Sequence, residues 1–202
     1  MKHLITTAIA AAIMFPAVCG ENLLKNGDFE QVSKTAKSTS KYLMAQIKNG
    51  WNLGDGPIAT LPAGFGPNGG KCKIRMIEVG ANGENKEHVH GGKVAAYFEN
   101  FHGHMTTSSR LKPGKYEITY WYKGKGEFLP CAYRYGINPA TGKLGKFMGT
   151  QVLFRKKMNA AVWTQDRQTF EIPANGVVEA SLALAAAGAT FYLDDIVVKA
   201  VK

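Results

Sequence analysis

Residues 116 to 122 read Tyr-Glu-Ile-Thr-Tyr-Trp-Tyr, so Tyr116, Ile118, Tyr120 and Tyr122 alternate with Glu117, Thr119 and Trp121. A period of two sends one set to a buried face and the other to the opposite face of a strand, which a helix does not do. Pro113-Gly114 reads as the turn before this strand and Lys123-Gly-Lys-Gly126 as the turn after it. Further short runs with strand character fall at 73–79, 93–98, 132–136, 149–154, 169–172, 177–184 and 190–198. Many short strands punctuated by Gly and Pro call for an all-β sandwich or barrel. The stretch 33–47, rich in Ser and Thr, reads as a helical turn or a loop. Residues 55–70, rich in Gly and Pro, read as a long surface loop of the kind that often carries binding on a rigid scaffold.

The ends of the chain set its location and size. Residues 1–20 combine a basic start at Lys2 and His3, an apolar stretch from Leu4 to Val18, and small residues that suit cleavage before Glu21. That is the layout of a secretory signal peptide, so the mature protein is expected in the periplasm, at the cell surface or secreted. A lipoprotein would be acylated at Cys19, yet Pro16-Ala-Val18 precedes it where a leucine and then small residues are expected. No later stretch reaches the roughly 18 apolar residues that a membrane span needs. Residues 21–202 show no repeat and no linker, and are expected to form one domain with a core of its own.

Two segments act as bookends: Asn22-Leu-Leu-Lys-Asn-Gly-Asp-Phe-Glu30 and Ala189-Thr-Phe-Tyr-Leu-Asp-Asp-Ile-Val-Val198. Both read as short strands that carry acids. Laid side by side they gather Asp28, Glu30, Asp194 and Asp195, and four carboxylates that close call for a cation. On a strand, Asp194 shares a face with Tyr192, Ile196 and Val198, whereas Asp195 points the other way. If that face is the core, Asp194 is a buried charge, expensive unless it is paired or metal-bound. The alternative is a pair of surface acids beside Lys25 or Lys199.

With Gly50-Trp51, His90-Gly-Gly-Lys-Val94, Leu111-Lys-Pro-Gly-Lys-Tyr116 running on to Trp121, and Trp163 ahead of Thr169-Phe-Glu-Ile-Pro173, the bookends make six pieces in order. This pattern resembles bacterial carbohydrate-binding modules of the galactose-binding-like, CenC-type jelly-roll family that are appended to cellulases and xylanases. The resemblance implies an antiparallel β-sandwich jelly roll and a non-catalytic sugar-binding role. It also implies a structural calcium ion between the first and last strands, held by Glu30 and Asp194 with backbone carbonyls around Asp28 and Lys93. Trp51 and Trp163 match positions that pack in the core of that family.

Sugar recognition needs flat aromatic faces beside polar groups, because pyranose rings present apolar C–H patches next to hydroxyl edges. Trp121, opposite the Tyr116–Tyr120 face, is the first candidate; its alternative role is packing under a second layer. Tyr133 and Tyr135 share a strand face, with Arg134 on the other, and either face suits a groove. His88-Val-His90 and His102-Gly-His104 each place two imidazoles on one side of a strand, a spacing that binds zinc or copper if the pairs meet. The adjacent glycines favour loops with plain polar histidines instead. Cys72 and Cys131 are an even pair in an oxidising compartment, open to a disulfide or to two buried thiols.

The formal charge of +10 includes only Lys2 from the leader, so the mature chain carries 10 − 1 = +9. Such a domain leans toward anionic partners, sulfated or sialylated glycans and acidic polysaccharides among them, unless the charge is simply a solvated surface. No nucleic-acid motif is present, and Arg155-Lys-Lys157 is too short to stand for one. Glu78, Glu84, Glu87, Glu99, Glu127 and Asp166 carry no glycosidase signature, and neither a serine elbow nor a phosphate loop occurs. The expectation is therefore an exported protein that binds a polysaccharide or a glycoprotein glycan without catalysis. An envelope structural or protein-interaction domain is the second reading, and a polysaccharide hydrolase or lyase the third.

Overall fold

A computed structural model describes residues 21–31, 51–52 and 73–201. Eight strands make one antiparallel, curled sheet: β1 (Trp51–Asn52), β2 (Lys73–Glu78), β3 (Val94–Leu111), β4 (Gly114–Phe128), β5 (Cys131–Ile137), β6 (Leu144–Val152), β7 (Lys156–Ile172) and β8 (Val177–Ala200). The order runs β1-β3-β8-β4-β7, with β2 beside β3 and β5 joining β8 to β6. The inner faces of both halves of the curl bury one cluster, which takes Tyr116, Ile118, Tyr120, Phe128, Leu182, Leu184, Phe191 and Val198. This is the expected all-β jelly-roll sandwich. Each of these large side chains contributes about 1.5–3 kcal/mol by leaving water. The expected loop at 55–70, the stretch at 33–47, the leader at 1–20 and Cys72 lie outside the described residues, as do the side chains of Trp51, His102 and His104.

The last strand shows how the curl is made. Its core residues are Ala180, Leu182, Leu184 and Ala186, then Ala189, Phe191 and Leu193, then Ile196 and Val198. The inward phase thus flips from even to odd after 186 and back to even after 193. At each flip stands a residue with left-handed backbone, Gly188 at φ 55 and Asp195 at φ 47. At each flip too the pairing with β4 skips one residue of β8, between Lys125↔Thr190 and Glu127↔Ala187 and between Thr119↔Val197 and Trp121↔Asp194. These are β-bulges, which insert one residue, bend the strand and raise its twist. The runs expected at 177–184 and 190–198 are therefore one bent strand. The bulge also corrects the expected face of Asp194, which sides with Tyr192 but is turned away from Ile196 and Val198.

Strand β4 carries the matching device. The expected turn at 123–126 is instead strand, and its glycines are needed for contact. Gly124 sits at φ 124, where a Cβ would come within 2.5 Å of the Thr190 carbonyl oxygen and 2.6 Å of Phe191 Cα. Gly126 has the same relation to Ala189 Cα, at 2.7 Å.

The opening segment lies against the final strand, as expected, but as consecutive turns rather than a strand. Asn22 substitutes for a strand partner: its Oδ1 accepts from Leu24 N (3.0 Å) and Val198 N (2.9 Å), and its Nδ2 donates to Ile196 O (2.9 Å). Leu23 N donates to Val198 O and Ile196 N to Gly27 O, each at 2.9 Å. Leu24 and Phe29 are thereby driven into the core.

Candidate functional site

The acids at the bookends meet on one loop. Glu30 Oε1 accepts the backbone N–H groups of Lys93 (2.8 Å) and Val94 (3.0 Å). Asp194 Oδ2 accepts those of His90 (3.0 Å) and Gly91 (3.2 Å), and its Oδ1 accepts Asp195 N at 2.8 Å. The two carboxylates thus clamp the segment His90–Val94 from its two ends. Gly92 has left-handed backbone at φ 56, which favours glycine, and a Cβ at Gly91 or Gly92 would push aside the Asp195 or Glu30 carboxylate. The other two acids have other partners: Asp195 Oδ2 is 2.6 Å from His90 Nδ1, and exposed Asp28 accepts Glu30 N at 3.5 Å. The Lys93 carbonyl accepts Val79 N at 2.8 Å.

Asp194 is fully buried, and burial, reinforced by the neighbouring Asp195, pushes its carboxyl up to about 7 against the pull of its three N–H donors. A buried carboxylate in that state gains from an adjacent cation. Among the described residues no group of three or more His, Cys, Asp or Glu side chains is placed to hold a metal ion. Calcium does not need one, because carbonyls and water complete its shell around one or two carboxylates. Glu30 and Asp194 offer oxygen donors of the kind that calcium prefers, and both already accept backbone N–H groups.

His88 and His90 are not on a strand, whereas His102 and His104 lie within β3. His88 ends a 3-10 turn (Lys86–His88) and His90 follows it in the loop. Val89, buried between them, pins the loop to the sheet. His88 stacks on Tyr192 (4.7 Å, 8°), which stacks in turn on Tyr97 (4.6 Å). His90 stacks on Trp121 (3.8 Å, 16°) and meets Trp163 edge-on at 5.6 Å. The two imidazoles thus serve separate stacks. Trp163, expected in the core, belongs to this outer cluster and is partly exposed. Trp121 faces away from the core as the alternation requires, but His90 covers it. Trp121→Ala is accordingly expected to cost about 2–3 kcal/mol, a partly exposed version of the usual Trp truncation, and to leave sugar affinity within twofold. A stable variant with lost affinity would return Trp121 to the binding site.

A second aromatic face lies far along β8. Tyr133 pairs with Ser181 and Tyr135 with Glu179, whereas Trp121 pairs with Asp194. The structure thus separates Trp121 from the two tyrosines. Phe147 of β6 stands across from Tyr135 (ring centroids 5.9 Å) and 6.3 Å from Tyr133, with 56% of its surface exposed. Arg110 completes the face: its guanidinium lies 5.6 Å above the Tyr135 ring and its Nε is 3.1 Å from Glu179 Oε1. Arg134 is turned to the opposite side, where Nη2 donates to Met148 O at 3.3 Å and Nε is buried without a partner. Next along the same side of the strand Cys131 packs with Ala183, Ala185 and Tyr133, its thiol pushed up to about 11 by burial. Phe147, Arg110 and Glu179 escaped the sequence reading. An aromatic in the otherwise polar run Leu144–Val152 was the available signal.

No family model matches the chain, and no curated protein matches it. Among solved structures it is similar to the tandem CBM22-1–CBM22-2 domain of Paenibacillus barcinonensis Xyn10C, at 12% identity over 90% of this chain and 50% of that one, with a TM-score of 0.48. It is also similar to TmCBM61 in complex with β-1,4-galactotriose, at 13% identity over 90% of this chain and 100% of that one, TM-score 0.43. A third likeness is to the CBM22-1–GH10 modules of the Clostridium thermocellum xylanase 10B complexed with xylohexaose. There the identity is 17%, the TM-score 0.44, and the match covers 64% of this chain and a quarter (25%) of that one.

Proposed function

We propose that this protein is exported, binds a glycan without catalysis on the face of Tyr133, Tyr135 and Phe147, and ties its terminal segments together with a structural calcium ion. The observation that carries the reading is Phe147, 56% exposed on a rigid strand beside two tyrosine rings. An open ring of that kind offers a stacking surface to pyranose C–H patches, and Arg110 and Glu179 supply polar groups at its edge. The notion of a hydrolase finds little support in the acids that are best placed. Glu127 is tied to Arg155 at 3.4 Å. Asp166 is tied to Tyr120 (2.8 Å), Gln168 (3.1 Å) and Lys156 (3.3 Å). Burial works against ionisation there, yet those hydrogen bonds hold the Asp166 carboxyl below its ordinary range.

Phe147→Ala tests the site cleanly, because the side chain is largely exposed and its loss spares the core. Loss of one stacking ring is expected to weaken glycan binding about tenfold, in the range of an aromatic contact of 0.5–1.5 kcal/mol plus its buried area. The melting temperature should hardly change. Unaltered affinity would remove this face from the proposal.

Calcium would be held by Glu30 and Asp194, and its positive charge would offset a carboxylate that is otherwise costly to bury. The chain's own contribution is the clamp on His90–Val94, which carries the stack of His90 on Trp121. Chelation is expected to lower the melting temperature of the wild-type protein, and readdition of calcium to restore it. An unchanged transition on chelation would end the calcium proposal.

A further inference from the structure

We infer that the glycan taken by this face is an acidic one, whose carboxylate or sulfate groups are met by the lysines around Phe147. This rests on the glycan-binding reading and names its ligand class. From Phe128 to Gln165 the chain holds six Lys or Arg residues and not one Asp or Glu. Two thirds of the mature chain's net positive charge thus falls in about a fifth of its length. The same stretch forms β5, β6 and the first part of β7, and so supplies Tyr133, Tyr135 and Phe147. Acids from outside it match two of the six: Arg155 lies 3.4 Å from Glu127 and Lys156 lies 3.3 Å from Asp166. Arg134 donates to the Met148 carbonyl, and Lys143, Lys146 and Lys157 form no ion pair among the described residues. On the other side of β5, residues 177–187 of β8 add a single acid, Glu179, which Arg110 already holds at 3.1 Å.

Position makes these charges usable. Lys143 and Lys146 flank Leu144 and Phe147 in the chain, and all four are exposed. Among the described residues β6 is bonded to β5 alone, so a ligand lying over its far edge is reached from both sides of the sheet. A lysine stem lies along an apolar neighbour while its ammonium stays in water, which brings a point charge beside the Phe147 ring. A polymer stacked there by its pyranose faces has cations within reach of its carboxylates or sulfates, and the one protein carboxylate on that face is already paired. Such attraction concentrates an anionic ligand at the surface and weakens as salt screens it over a Debye length. Lysines on an edge strand also keep it from pairing with another chain. That role asks for neither the exposed ring nor the absence of acids around it.

The test is binding of the intact mature protein, in calcium, to hyaluronate, to dextran sulfate and to the neutral polymers dextran, xylan and galactan. It is run at about 50 and about 500 mM NaCl, a range over which the Debye length falls roughly threefold. The expected result is binding of hyaluronate or dextran sulfate, the two arms telling a carboxylate from a sulfate, with affinity at least about fivefold weaker at the higher salt. Lys143→Gln/Lys146→Gln should weaken that binding about tenfold at low salt, the scale of two exposed ion pairs, with an unchanged melting temperature. Lys25→Gln/Lys86→Gln removes the same charge from two exposed positions in the opening segment and the 3-10 turn, and should change the affinity less than about twofold. Equal losses in the two double variants would overturn the inference, because the attraction would then belong to the whole chain. So would Lys143→Gln/Lys146→Gln that self-associates yet binds the acidic polymer as before. Preference for a neutral polymer, indifferent to salt, would overturn it and leave the glycan reading intact. Silence toward every polymer would overturn both.

Discussion

Asp194→Ala is expected to lower the stability of the protein by about 4 kcal/mol, because three backbone N–H groups lose their acceptor and a buried donor left unmade costs about 1–3 kcal/mol. The donors are His90, Gly91 and Asp195. In a chain of this size that corresponds to roughly 10 °C in melting temperature. The loss does not stop at the hydrogen bonds. The freed loop carries His88 and His90, whose stacks on Tyr192 and Trp121 depend on its position. Asp194→Asn keeps one acceptor oxygen and is expected to lose about half as much, since an amide nitrogen turned toward N–H donors is also unfavourable. Both variants should lose the response of the melting temperature to calcium and chelator. A destabilisation of Asp194→Ala below about 1 kcal/mol, the worth of one ordinary hydrogen bond, would contradict the clamp.

Gly124→Ala is expected to be similarly severe, at about 4 kcal/mol, though it removes no interaction at all. The residue sits at φ 124, where an L side chain is strained, and its Cβ would come within 2.5 Å of Thr190 O and 2.6 Å of Phe191 Cα. Such backbone strain alone costs on the order of 1–3 kcal/mol. Both obstacles are backbone atoms of β8, so relief requires β4 and β8 to part. A surface glycine such as Gly83 has open space around its Cβ position. At Gly83 only the left-handed backbone resists alanine, and the expected cost is about 1 kcal/mol. Comparable losses at the two positions by chemical denaturation would show that the close approach at Gly124 does not matter.

These two residues mark what a sequence shows and what it hides. The alternation of Tyr116 to Tyr122 located the core face of β4 correctly, because a period of two has only one way to bury four large side chains. The same alternation could not follow β8, whose inward phase changes twice. Gly188 was a visible sign of the first change, but in Asp194-Asp195 two identical residues gave no hint that the second takes the left-handed bulge position. Glu30 and Asp194 were legible as a pair, since the bookend segments carry them. Their shared target, the loop before β3, was hidden because its N–H groups have no identity in the sequence. Trp121 was correctly turned away from the core, yet nothing in its own strand announces that His90 will lie on it. Tyr133 and Tyr135 were found by periodicity, whereas Phe147 and the Arg110–Glu179 pair depend on which strands become neighbours across long stretches of chain.

Direct binding of the mature chain, residues 21–202, to a broad glycan panel in the presence of calcium, with Phe147→Ala run beside it, tests the central claim most directly. The account predicts selective binding of an acidic glycan by the wild type and loss of about tenfold in affinity for the variant, the share expected of one exposed stacking ring. Equal binding by both proteins, or no binding by either, would contradict it.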